Sequence, residues 1–393
     1  MLVSIQSSLD LKIIVNERHT FVVQIKTDFI KDITFWPVDI PVTDPFVVAT
    51  GTRVTAENIF VRITLSDGTE GYGEAAPFPE VGTEDRASCL QALSQLAPSL
   101  IGRTIHDYRE WSRHLAEQAP AHPAARCSLE TALLDAHCRT AAIPLWQFWG
   151  GADVRPRMTD ITIPIATQEK TLALAREWYQ RGFRLFKMKV GKDVDTDLRR
   201  LETLHQALPD IAFIGDGNQG FSRAECLAFA AGIRRFGGVM LLLEQPVAHD
   251  DLDSLAAIRS ETGIPVAADE SVRSLDDARK VIAHGAVDYI NIKIMKTGVL
   301  EAAEIASLTL QAGLNLMVGG MLESRIAMGC SFSMVLGMKG FDVLDLDTPL
   351  LLATDPVQGG YRYVGPTLHP WHESGLGMTV SVPTDALTTK AHS

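Results

Sequence analysis

The chain has 393 residues, 46% of them apolar and 21% charged, the proportions of an ordinary water-soluble globular protein. That length exceeds what one hydrophobic core usually supports, so two domains, or one large barrel with an added lobe, are expected. A formal charge of −12 argues against a nucleic-acid-binding stripe, and no apolar run reaches the ~18 residues of a membrane-spanning helix.

Residues 1–25 lack a basic segment followed by an apolar block, so no secretory signal is read there. They form an N-terminal extension to which no role is assigned. The five cysteines are scattered and contain no C-x-x-C pair. Free thiols in a reducing, cytoplasmic setting are the expectation.

Residues 26–152 read as an α+β lobe. The runs "DITFWPVDIPV" and "NIFVRITL" have strand texture, and "SDG" after the second signals a hairpin into "TEGYGEA". Helical spacing follows in "DRASCLQALSQLAPSLI" and "PAARCSLETALLDAHCRTAA". From 153 to 362 the texture becomes a repeated strand–helix rhythm. Eight strand candidates, from "MTDITIPI" through "RLFKMKV", "IAFIGD", "VMLLLE", "PVAAD", "DYINIK" and "NLMVGG" to "FDVLDLD", predict a (β/α)8 TIM-type barrel. Residues 363–393 lie beyond the barrel and are expected to return to the capping lobe.

In such a barrel the catalytic groups sit at the C-terminal strand ends. The third strand ends in Asp216, the fourth in Glu244 and the fifth in Asp269, each after an apolar run. A lone acidic residue at a strand end is most often a loop or cap residue. Three in succession, 28 and 25 residues apart, follow the barrel's own period. Three converging carboxylates repel one another unless a hard cation lies among them, and an all-oxygen set suits Mg2+.

Lysines complete the pattern. Lys187 and Lys189 in "FKMKV" share one face of the second strand, and Lys293 ends the sixth in "INIKI". A solvated lysine does not fit such apolar neighbours. A carboxylate-rich barrel mouth does, and it sets Lys189 and Lys293 on opposite sides of a shared space.

The set K-x-K, D-x-N, E-Q-P, D-E-S and N-I-K-x-M-K resembles the muconate-lactonizing subgroup of the enolase superfamily. The likeness runs from about residue 31 to 380. It implies Asp216, Glu244 and Asp269 as Mg2+ ligands, Lys189 and Lys293 as an acid/base pair, and Lys187 beside the substrate carboxylate. In the eighth strand, Asp345 and Asp347 share a face and resemble the D-x-D with which dipeptide epimerases hold a free ammonium group. Thr162, Asn218 and Gly320 match substrate-contacting positions, and Glu270 is placed to orient Lys293.

The implied reaction is 1,1-proton transfer at the α-carbon of a dipeptide's C-terminal residue through an enediolate. Lys187 and the metal would lower the pKa of Lys189. Relatives that act on Ala-Glu use a capping-loop arginine where this chain has Gly51, with Arg53 two residues on. An apolar or mixed side chain is therefore expected of the substrate. The alternatives on the same scaffold are o-succinylbenzoate synthase, N-succinylamino acid racemase and muconate cycloisomerase. Their substrates have no free ammonium for Asp345 and Asp347. A binding-only barrel predicts a broken catalytic position, and a metallohydrolase predicts strand-end histidines; neither feature is found. The expected partner is a small-molecule dipeptide, with self-association left open.

Overall fold

The computed structural model describes residues 28–82 and 84–390, together with the backbone of two antiparallel strands, Leu11–Val15 and Phe21–Ile25. The expectation for residues 1–25 otherwise lies outside the described residues.

Three strands of the capping lobe, Ile30–Val47, Thr52–Leu65 and Glu70–Ala75, form an antiparallel meander. The predicted hairpin lies between the last two: Gly68 N donates to Leu65 O, and Gly68 takes a φ of +88°. The buried helix Pro123–Thr140 lies directly on the strand Glu70–Ala75. Two glycines permit this approach. A Cβ at Gly73 would lie 1.9 Å from Ser128 O, and one at Gly71 would lie 2.2 Å from Ala132 O.

Eight parallel strands in chain order form the barrel wall, beginning at Ile161–Ile163 and ending at Phe341–Leu344. Closure between first and eighth strands uses backbone and side chain together. Asp160 N donates to Leu344 O at 3.0 Å, Thr159 Oγ1 donates to the same oxygen at 3.1 Å, and Leu346 N donates to Thr159 Oγ1 at 2.8 Å. Inside the barrel, Ile214, Leu242, Ala267 and Met317 form their own apolar cluster. The first three stand two residues before Asp216, Glu244 and Asp269, so the strand period puts the carboxylates on the same face, one layer nearer the C-terminal mouth.

The tail returns to the capping lobe. Leu387–Lys390 pairs antiparallel with Ile30–Val47, adding a fourth strand to the sheet. Buried Asp135 ties the parts together, accepting from Tyr72 N at 2.8 Å, Leu376 N at 2.6 Å and Arg139 Nε at 3.0 Å. Glu74 joins lobe to barrel at the start of the helix Arg325–Gly337, where it accepts from Ser324 N, Ser324 Oγ and Ala327 N. Among the described residues no helix is long and apolar enough to cross a membrane.

Candidate active site

The strand-end residues converge on one cavity. Lys187, Lys189, Lys293, Thr162, Asn218, Gly320 and Asp345 line it from the barrel, and Phe46, Val48, Phe78 and Val81 close it from the capping lobe. Asp216, Glu244 and Asp269, at the ends of three adjacent strands, are fully buried against these lysines, with Asp216 and Glu244 in direct register.

The three lysines sit among these acids. Lys189 Nζ donates to Asp216 Oδ2 at 2.6 Å, and Lys293 Nζ to Asp269 Oδ2 at 2.6 Å. Lys187 Nζ lies 2.6 Å from Asp345 Oδ2, 2.7 Å from Glu244 Oε2 and 3.0 Å from Asp216 Oδ2. Its contact with Glu244 Oε2 is an ion pair without hydrogen-bond geometry, so that buried oxygen keeps an unused acceptor site.

Burial favours the uncharged form of every group here, and the opposite charges outweigh it for most. Burial works against Lys187 and Lys293, yet Asp216, Asp345 and Glu244 hold the first well above its usual range, and Asp269 and Glu244 hold the second up. Asp216 and Asp269 are held low against their burial, the first by Lys187, Lys189 and Lys293, the second by Lys293 and Lys296. Glu244 goes the other way: burial and Asp216 push it up to about 7.

Lys187 lies against three carboxylates, Asp216, Glu244 and Asp345. One sequence expectation changes in detail. Glu270 was to orient Lys293, which is instead held by Asp269. Glu270 accepts from Asn218 Nδ2 at 3.5 Å and keeps a second, unpartnered oxygen. Asn218 takes a φ of +40°, in the left-handed region that few non-glycine residues adopt, and its N–H reaches back to Asp216 Oδ1 at 3.1 Å. A Cβ at Gly320 would lie 1.9 Å from Met328 Cε, so a larger residue there requires the buried Met328 methyl to move.

On the eighth strand, Asp345 bonds Lys187, and Asp347 Oδ2 accepts from Thr162 N at 2.5 Å. Burial and Asp345 push Asp347 up to about 7.

Several supporting residues were not singled out in the sequence. Lys296 Nζ bonds Asp269 Oδ1 and Asp269 O, each at 2.6 Å, and Asn291 Nδ2 bonds Glu244 Oε1 at 2.8 Å. Gln245 Oε1 accepts from Asp269 N at 2.9 Å and Ser271 N at 3.1 Å. All three stand inside the motifs N-I-K-x-M-K and E-Q-P, which was the available signal. Phe46 gave none: its ring lies 5.6 Å from Lys189 Nζ and edge-on to Phe78. Arg53 turns away from this cavity, bonding Glu80 and Glu57 at 2.9 Å each.

Comparison with known proteins agrees with this architecture. The chain is an enzyme of the isomerase class, of the racemase and epimerase kind. It belongs to the enolase superfamily: residues 31–150 match the mandelate racemase / muconate lactonizing enzyme N-terminal domain, and residues 170–384 match the enolase C-terminal domain-like family. It is 39% identical over 345 residues to the aromatic dipeptide epimerase of Herpetosiphon aurantiacus, covering 88% of this chain and 97% of that protein. It is 40% identical over 328 residues to the hydrophobic dipeptide epimerase of Citrifermentans bemidjiense, covering 82% and 89%. Among solved structures, the Enterococcus faecalis dipeptide epimerase complexed with Mg and L-Leu-L-Tyr superposes with a TM-score of 0.86 at 29% identity, covering 89% of this chain and 99% of the other.

Proposed function

We propose that the protein is a Mg2+-dependent dipeptide epimerase that inverts the α-carbon of the C-terminal residue. The observation that carries this reading is the pair Lys189 and Lys293, which enter one cavity from the second and sixth strands beside three buried strand-end carboxylates.

Asp216, Glu244 and Asp269 fit a hard divalent cation. The donor set is all oxygen, and Glu244 Oε2 is buried without a hydrogen bond. When bound, Mg2+ would hold the substrate carboxylate and stabilise the negative charge that grows there as the α-proton leaves. One lysine takes that proton from one face of the α-carbon, and the other returns a proton to the opposite face. Lys296, Asn291 and Gln245 hold the carboxylates in place through the bonds described above. Phe46, Val48, Phe78 and Val81 exclude water from the space above.

The same wall supports an apolar or mixed dipeptide. Arg53, the cation nearest the expected arginine position, is neutralised by Glu80 and Glu57 and does not line the reaction cavity. The names of the two curated relatives, aromatic and hydrophobic dipeptide epimerase, point the same way.

The test is to incubate pooled L,L-dipeptides with enzyme and Mg2+ in D2O and read them by mass spectrometry. A one-unit mass gain in particular dipeptides, abolished by chelation, is the expected result. Exchange of N-succinylamino acids or formation of o-succinylbenzoate, with every dipeptide silent, would overturn the reading.

A further inference from the structure

We infer that Asp160 is the third carboxylate of an ammonium-binding site completed by Asp345 and Asp347, and that this site takes the α-amino group of the substrate. The inference rests on the dipeptide reading above.

Asp160 opens the first strand one residue before Ile161, and its side chain is fully buried with no hydrogen-bond partner on either oxygen. A buried carboxylate with nothing to accept from is costly, and such a group survives where a ligand supplies the donor. One oxygen each from Asp160, Asp345 and Asp347 lie within 4.8 Å of one another. A primary ammonium has three N–H groups to place, one for each carboxylate, each in a charge-assisted N–H···O bond.

The remaining acceptors agree. Asp345 Oδ2 is engaged by Lys187 and Asp347 Oδ2 by Thr162 N, while Asp347 Oδ1 and both oxygens of Asp160 have no partner. Charge agrees as well. Among the described residues Lys187 is the one cation in an ion pair with the trio, and it is shared with Asp216 and Glu244. Burial, Asp345 and Asp347 accordingly push Asp160 well above the usual carboxylate range. An incoming ammonium supplies the missing positive charge.

Asp160→Asn and Asp160→Ser test this in the full-length, Mg2+-loaded enzyme. Three quantities are compared with wild type: KM for a preferred dipeptide, the preference for it over the analogue lacking the amino group, and the melting temperature without substrate. The expected result is a KM at least ten times higher, a rise larger than the fall in kcat, with a smaller preference for the amine. The melting temperature should hold or rise, because a buried unpartnered carboxylate is gone. Unchanged KM and amine preference, or a lowered melting temperature with kinetics intact, would overturn the role of Asp160 while leaving the epimerase reading standing. Wild-type enzyme that exchanges no dipeptide α-proton would overturn that reading itself.

Discussion

Lys189 and Lys293 stand in matched settings: each enters the cavity from its own strand and donates one 2.6 Å hydrogen bond, Lys189 to Asp216 and Lys293 to Asp269. Matched positions across a cavity predict separable roles. Lys189→Ala and Lys293→Ala should each lower epimerisation by roughly 10²–10⁴-fold, the usual worth of a positioned acid or base. Each single variant should still exchange the α-proton of the one epimer that presents it to the surviving lysine, without inversion. Chiral analysis of products formed in D2O checks this, and full inversion by either variant would exclude a two-lysine mechanism.

Glu323 gives a prediction about stability against pH. Burial pushes its carboxyl up to about 8; the Met321 N–H and Lys293 oppose the shift, and Glu74 and Asp345 add to it. In an unfolded chain a glutamate titrates near ~4.3. Between those values the folded protein holds a proton that the unfolded chain has released, so the stability linked to Glu323 is full below about pH 4.3 and is lost as pH rises through about 8. Glu323→Gln keeps an acceptor for Met321 N and cannot ionise. Its unfolding free energy should therefore gain on wild type by up to a few kcal/mol between about pH 5 and 8.5. Denaturant titrations across that range measure the gain, and a constant difference would contradict it.

The catalytic core was legible in the sequence because it is periodic. Alternation along each strand and the strand–helix repeat between strands fix which side chains meet at the barrel mouth, so the three acids and three lysines follow from spacing. What spacing does not give is who pairs with whom across the barrel. Lys187 faces Asp345, 158 residues away, a pairing that sets its ammonium among carboxylates. Asp160 stands at the start of its strand, where a lone acid reads as a loop residue. Only closure of the first strand onto the eighth brings it against Asp345 and Asp347. Phe46 was equally hidden, since its reach to Lys189 depends on how the capping lobe docks.

That docking depends on Glu74. The carboxylate accepts four hydrogen bonds, from Asn58 Nδ2, Ser324 N, Ser324 Oγ and Ala327 N, all within 3.0 Å, while fully buried between lobe and barrel. Glu74→Ala leaves those donors unpaired, including Ala327 N in the first turn of the helix Arg325–Gly337, which Ser324 also caps. A loss of roughly 2–5 kcal/mol is expected. Because the same loop carries Gly320, KM should rise as well. Glu74→Gln, which keeps one acceptor oxygen, should lose less on both counts, and equal losses would argue against the capping role.

Under the proposed function, the capping-loop residues Gly51, Arg53 and Glu80 give a test of side-chain preference. Arg53 is locked by two carboxylates on the far side of Phe78, so its charge does not reach the reaction cavity. Arg53→Ala should therefore change kcat/KM for apolar dipeptides less than about threefold, within the range of a surface ion pair. On the proposed reading an acidic substrate side chain calls for a cation at Gly51, where a Cβ would lie 2.4 Å from Glu80 Cγ. Gly51→Arg alone should impair the enzyme through that clash and through a new ion pair with Glu80. Gly51→Arg combined with Glu80→Ala removes both obstacles, and it should raise the ratio of kcat/KM for a C-terminal glutamate over a C-terminal leucine by about tenfold, the worth of one charge-assisted bond. An unchanged ratio in a folded, active double variant would show that the capping loop does not contact the substrate side chain.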